Sequence, residues 1–134
     1  MNIIISTENS RLDIDLIHQF LTNSYWAKGR TKEEVITTIE HCLNFGVYLD
    51  DKQIGFARLL TDYTVFGYLM DVFIIDEHRG NGYAKELVKT IIEHEKLQKI
   101  KKWMLLTADA HGLYKQFGFD SLEDPTMAMG KFNQ

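Results

Sequence analysis

Cysteine and proline are nearly missing from this chain: Cys42 and Pro125 are its only examples among 134 residues. A lone cysteine rules out an intrachain disulfide framework, and with no Cys/His cluster beside it the common zinc modules are excluded too. That usage fits a reducing compartment, so the cytoplasm is the expected location. No apolar run is long enough to cross a bilayer, and the opening Met1-Asn2-Ile3-Ile4-Ile5 lacks the basic start and the length of a secretory signal. Positive charge is not in excess either. Fifteen Lys and Arg face nineteen Asp and Glu, a formal charge of -4, which argues against nucleic acid or an anionic membrane as partner. Repeats, low-complexity tracts and Pro/Gly/Ser-rich linkers are absent, so residues 1–134 read as one domain. With 45% hydrophobic and 25% charged residues, that domain can bury a core without staples.

What is present is a succession of short periodic segments. Leu12, Leu16, Ile17 and Phe20 fall at helical spacing over residues 11–22, and Val35, Ile36, Ile39 and Leu43 do so over residues 31–43. Thr31, with Glu34 three residues on, has the pattern of a capping box. The link between these helices is polar except for the adjacent Tyr25 and Trp26. The period then changes to that of sheet, predicting strands over 45–49, 53–60 and 65–75, the last broken only by Asp71 and therefore internal. Ala84, Leu87, Val88, Ile91 and Ile92 predict an amphipathic helix from Gly82 onward. A strand over 103–107, a short helix over 110–117 stopped by Gly118, and a last strand over 126–132 complete an α+β chain with a mixed sheet. Lys96, Lys99, Lys101 and Lys102 read as a solvated helix end.

One segment carries chemistry. A buried strand runs into Arg79-Gly80-Asn81-Gly82, and a helix begins at once. Glycines let backbone amides converge, the helix N-terminus adds its positive end, and Arg79 adds a cation, so the loop suits a phosphate or pyrophosphate. It is not a P-loop, having no G-x-x-x-x-G-K-[ST]. It is not a dinucleotide fingerprint, because no third glycine follows and no acid lies about twenty residues on. The two glycines alone would equally close a tight turn. No histidine pair has the spacing of a metal site, so no metal is expected.

Arg79-Gly80-Asn81-Gly82-Tyr83-Ala84 resembles the [QR]-x-x-G-x-[GA] motif of the GNAT superfamily of N-acetyltransferases. Gly112-Leu113-Tyr114-Lys115-Gln116-Phe117-Gly118-Phe119 resembles the later L-Y-x-x-x-G-F segment of the same superfamily, in the correct order after an intervening helix and strand. Together they cover residues from about 45 to 132. Tyr25-Trp26 through Arg30, Phe56-Ala57-Arg58, Thr61-Asp62, Tyr68 to Val72, and Asp109 to Tyr114 further resemble a small bacterial subgroup with no assigned acceptor. The resemblance implies a mixed, mostly antiparallel central sheet, splayed between two strands and flanked by helices. It implies acetyl-CoA between the strands, its arm paired to the main chain of Val72, Phe73 and Ile74 and its pyrophosphate on the amides of Arg79, Gly80, Asn81, Gly82, Tyr83 and Ala84. Asp76 replaces a frequent proline. Asp109 stands where many relatives have an asparagine that contacts the arm, which leaves its cofactor role open.

The reaction so implied is direct acetyl transfer to a primary amine of a small molecule or protein; the alternative is a non-catalytic acyl-CoA-binding module of the same fold. Tyr114 matches the tyrosine that approaches the cofactor sulfur and is the candidate acid, since a phenol stays protonated at neutral pH. A base must also take a proton from an alkylammonium, and Asp71 and His111 are the main candidates, with Asp62 and Asp109 behind them. A carboxylate paired with Arg58 would give Asp71 the same sequence signature. For the acceptor, the resemblance places Tyr25, Trp26 and Arg30 on one side and Arg58 and Asp62 opposite. The arginines suit a carboxylate and the acids an amine, which points to an amino-acid-like molecule, while Tyr25 and Trp26 would also serve as a plain hydrophobic plug. A homodimer is possible for such a fold, though no apolar stripe marks its face.

Overall fold

The computed structural model describes residues 2–133. Its order is β1 (Ile4–Ser6), α1 (Ile14–Thr22), α2 (Lys32–Glu40), β2 (Leu43–Leu49), β3 (Lys52–Thr61), β4 (Phe66–Ile74), α3 (Tyr83–Ile92), β5 (Lys102–Leu105) and α4 (His111–Lys115). Helix α1 begins at Ile14 rather than at residue 11, and α2 ends at Glu40, so Leu43, expected on that helix, opens β2 instead. Asp13 accepts the Leu16 N–H at the start of α1, and Thr31 and Glu34 form the expected reciprocal capping box on α2. No helix is long and apolar enough to cross a membrane.

The strands lie side by side in chain order, β1-β2-β3-β4-β5. The first four are antiparallel, and β5 returns parallel to β4. Helices cover both faces. On one, α3 buries Leu87, Val88 and Ile91 against Phe45, Val47, Ala57 and Leu59, with Tyr114 of α4 at the rim. On the other, Ile17, Leu21, Val35 and Ile39 of α1 and α2 close over Phe56 and Phe73. Burial on both sides explains why β2 and β3 are near-continuous apolar runs.

Two strand assignments differ from the sequence expectation. Ile4–Ser6, which the sequence marks only as a run too short for a signal, pairs antiparallel with β2 as an edge strand. Residues 126–132 form no strand: Asp124 accepts the Thr126 N–H, a single 3-10 turn follows over Pro125–Met127, and Met127, Met129 and Phe132 are exposed. Alternation supplies a face for a strand but not a ladder: among the described residues the tail pairs with no strand, although Ala128 borders the same small cavity as Trp103 to Leu105 of β5.

Candidate active site

The site begins with an irregularity in β4. Phe56 pairs with Phe73 and Arg58 with Met70, so a single β3 residue, Ala57, faces two on β4 and the strand bulges there. Asp71 sits in the bulge with φ of +55°, a conformation that asparagine and aspartate tolerate better than other non-glycine residues. The bulge turns its carboxylate toward the α1–α2 link, where it is buried beneath three donors. Trp26 Nε1–H donates to Oδ1 at 3.0 Å, while Arg30 Nη1 at 2.6 Å and Arg58 Nε at 2.9 Å both donate to Oδ2. Arg58 is spent on this cluster. Its remaining nitrogens reach Cys42 Sγ at 3.3 Å and Met70 Sδ at 3.5 Å. Burial alone would lower the Arg58 pKa, but the Asp71 carboxylate and the Cys42 sulfur outweigh it and hold the guanidinium above its ordinary value.

Just before the bulge, β4 and β5 part. Their pairing runs from Phe66 with Lys102 to Leu69 with Leu105 and goes no further. From Met70 onward, the main chain of β4 has a strand partner only on its β3 side. The gap is a cleft of about 510 Å³ lined by Tyr25, Trp26, Arg30, Tyr68 to Val72, Leu105 to Ala110, and Tyr114. Tyr114 is buried at its inner wall, and burial, followed by the proximity of Tyr25 and Asp109, pushes its phenol up to about 12. Tyr25 bridges the mouth, its Oη accepting the Ala108 N–H at 3.3 Å. On the far side of Tyr25 lies a second cavity of about 620 Å³ between α1 and residues 75–79, and Asp109 borders both.

That second cavity leads to the glycine loop. Gly80 and Gly82 have φ of +84° and +78°, and a Cβ at either would meet nothing within 4 Å. These glycines are therefore required by backbone conformation, and the space above them is open. Asn81 Nδ2 donates to the His78 carbonyl, Arg79 Nε donates to the Ile74 carbonyl, and Arg79 pairs with Asp76 at 3.2 Å. Among the described residues the amides of Gly80, Asn81 and Gly82 have no hydrogen-bond acceptor. The first turn of α3 adds its own free N–H groups. Converging unpaired amides with open space above them make a cradle that fits a pyrophosphate.

The structure thus brings Tyr25, Trp26, Arg30, Asp71, Val72, Asp109 and Tyr114 to one cleft, with the loop of residues 79–84 next to it. Three candidates fall elsewhere. Asp62 lies in the exposed β3–β4 turn, where its carboxylate accepts the N–H groups of Thr64, Val65 and Phe66, because an aspartate there satisfies its own turn. Those bonds hold its pKa below the usual carboxylate value. Arg58 lies behind Asp71 and does not line the cleft. His111 starts α4 on the other side of β5, bordering a smaller cavity of about 240 Å³ with Trp103 and Phe119. Phe73 offers the cleft no side chain, its ring being buried in a stack on Phe20 at 3.9 Å. Sequence reading missed Cys42 and Met70 as partners of Arg58, and Ala108 as partner of Tyr25. These contacts join segments far apart in the chain, and no local pattern announces them.

The model of the acetyltransferase (GNAT) family matches residues 14–119, from the first helix through the segment after α4. The chain belongs to the GNAT acetyltransferase family. A protein of Gibberella zeae with the provisional name acetyltransferase FG08082 is 27% identical over 156 residues, spanning 94% of this chain and 87% of its own. A crystal structure from Xanthomonas campestris pv. campestris, of a provisionally named acetyltransferase belonging to the GNAT family, is similar at 42% identity and a TM-score of 0.95, over 99% of this chain and 94% of that one. A Clostridium acetobutylicum protein solved with acetyl-CoA shares the fold at 16% identity and a TM-score of 0.71, over 98% and 96% of the two chains. The splayed, mostly antiparallel sheet with flanking helices is the GNAT architecture.

Proposed function

We propose that the chain is one acetyltransferase domain that moves the acetyl group of acetyl-CoA to a primary amine of a small molecule or protein. The observation that carries this reading is the divergence of β4 from β5 beside the open glycine loop, with Tyr114 at the inner end of the cleft. The acyl-CoA would be held by the amides of the loop from Arg79 to Ala84, of which the Arg79 N–H is already given to the Asp76 carbonyl, and by those main-chain groups of Val72, Phe73 and Ile74 that face away from β3, the Ile74 carbonyl being already engaged by Arg79. When bound, acetyl-CoA supplies an acetyl group activated as a thioester.

The residues of the chain then have separable tasks. Tyr114 holds a proton on Oη throughout the neutral range, its pKa pushed up to about 12. A phenol that weak gives up its proton to a thiolate, whose parent acid has a pKa of about 8.5, only uphill, so Tyr114 acts as a hydrogen-bond donor to the departing sulfur. Main-chain N–H groups near Val72 would polarise the acetyl carbonyl. Asp71, with both oxygens engaged by Trp26 and two arginines, serves as an anchor rather than as a base. Asp109 lines the same cleft without a side-chain partner among the described residues, and is the carboxylate placed to receive an ammonium.

The test is a calorimetric titration with acetyl-CoA, using ATP and NAD as controls, followed by thiol release across an amine panel. Micromolar binding of acetyl-CoA alone, with amine-dependent release, is the expected result. Binding without release on any amine would favour a non-catalytic acyl-CoA module, and no binding would end the acetyltransferase reading.

A further inference from the structure

The charges around Asp71 do not balance. Two guanidiniums, Arg30 and Arg58, share one carboxylate, leaving one positive charge in a largely buried cluster. The surplus is localised by the remaining contacts. Arg58 is 9% exposed, and its nitrogens are used on Asp71, Cys42 and Met70. Arg30 is 21% exposed, lines the cleft, and gives only Nη1 to Asp71; among the described residues its other N–H groups have no acceptor. A half-desolvated planar fork with vacant donors suits an oxyanion, which can accept two parallel hydrogen bonds from it. The acids that the sequence offered for amine recognition are unavailable, Asp71 being neutralised and Asp62 lying outside the cleft. Among the described residues that line the cleft with Tyr114, Asp109 is the carboxylate left without a side-chain partner.

We infer that the acceptor is a small primary amine that also carries an oxyanion, a carboxylate or a phosphate, docked on the vacant N–H groups of Arg30. The inference rests on the acetyl-transfer reading for the amine, while the anion site stands on the arginine geometry alone. Asp71 and Trp26 are positioning residues here. Asp71 fixes the Arg30 guanidinium by a 2.6 Å ion pair, and Trp26 pins the other carboxylate oxygen, so the fork enters the cleft in one orientation.

The experiment uses matched amines on the full chain: β-alanine against propylamine, and 2-aminoethyl phosphate against ethanolamine, each assayed by thiol release with acetyl-CoA. The member bearing the anion should be preferred about tenfold or more in kcat/KM. Arg30→Gln should bring that ratio close to one through a higher KM, and Arg30→Lys, which keeps the charge and loses the fork, should fall between. Carboxylate against phosphate preference separates the two anion sources. Equal rates for both members of each pair in the wild-type protein would overturn the inference while leaving acetyl transfer standing, and so would a preference that survives Arg30→Gln.

A binding measurement covers the case of no turnover. The indole N–H resonance of Trp26, assigned by its loss in Trp26→Phe, should move on titration with propionate or inorganic phosphate and stay still in Arg30→Gln. A resonance unmoved by either anion in the wild-type protein would remove the anion site, whatever the acetyl-CoA titration gives.

Discussion

Asp71 sits where two demands conflict: a β-strand asks for extended backbone, and the site asks for a carboxylate turned out of the ladder. The bulge reconciles them at a backbone φ of +55°. Asparagine tolerates that conformation equally well, so Asp71→Asn isolates charge from strain, and Asp71→Ala adds the strain. Removing the shared partner of two arginines should cost about 3 kcal/mol of folding stability, read as a shift in the denaturant midpoint; a loss within 0.5 kcal/mol of zero, about the size of an ordinary surface change, would show the cluster to be loosely held. Tyr114 lends itself to a pH measurement. Its folded pKa of about 12 lies above the ordinary value of 10.0, mainly through burial, so the folded state favours the neutral phenol. That contribution is fully present below pH 10 and is lost as pH climbs from about 10 toward 12, a fall on the order of 2 kcal/mol. Tyr114→Phe should show a shallower fall, the rest coming from groups such as Tyr48, which burial also raises. In the assay the same substitution should lower kcat and spare acetyl-CoA affinity; unchanged turnover would remove the phenol from the reaction.

The capping box on α2 does more than start a helix. Arg30 immediately precedes Thr31, so the cap fixes the point from which the arginine reaches Asp71. Thr31→Ala should cost about 1 kcal/mol in a thermal or chemical melt, and should weaken use of acceptors that depend on Arg30. In the glycine loop, Gly80→Ala should cost roughly 1 kcal/mol from the positive φ alone, since no protein atom stands in the way of its Cβ. A melt that fell by much more would indicate a packed loop rather than an open cradle. These local features are what the sequence announced best: the capping residues, the helical stripe of Leu87, Val88 and Ile91, the glycines before α3 and the break in a buried strand at Asp71 are all written within a few residues of one another. What escaped is relational. Asp62 falls in the link between two expected strands and Asp71 inside one, yet that Asp62 spends its carboxylate on its own turn while the bulge sends Asp71 beneath three donors is set by the β3–β4 register and not by either residue's neighbours. The tail over 126–132 has a strand's alternation, yet pairing depends on a neighbour that the sequence does not name.

The gap between β4 and β5 sets how the fold as a whole responds to its ligand. β4 is hydrogen-bonded to β3 along its length but to β5 only as far as Leu69. In the free protein, main-chain amides of β4 beyond Leu69 that face β5 should exchange with solvent faster than those facing β3. Acetyl-CoA should slow them selectively, together with the amides of residues 79–84; exchange unchanged by saturating acetyl-CoA would mean that the arm binds elsewhere. The order of the strands carries a different consequence. Because spatial order follows chain order, most pairings join neighbouring segments, and such local contacts favour rapid assembly. A ribosome delivers the four antiparallel strands first, whereas β5 and α4, which form the outer wall of the cleft, follow them. A nascent chain stalled before Lys102 would therefore hold most of its sheet and the glycine loop while lacking the outer wall of the cleft, so the β4–β5 gap becomes a pocket only once β5 and α4 have followed.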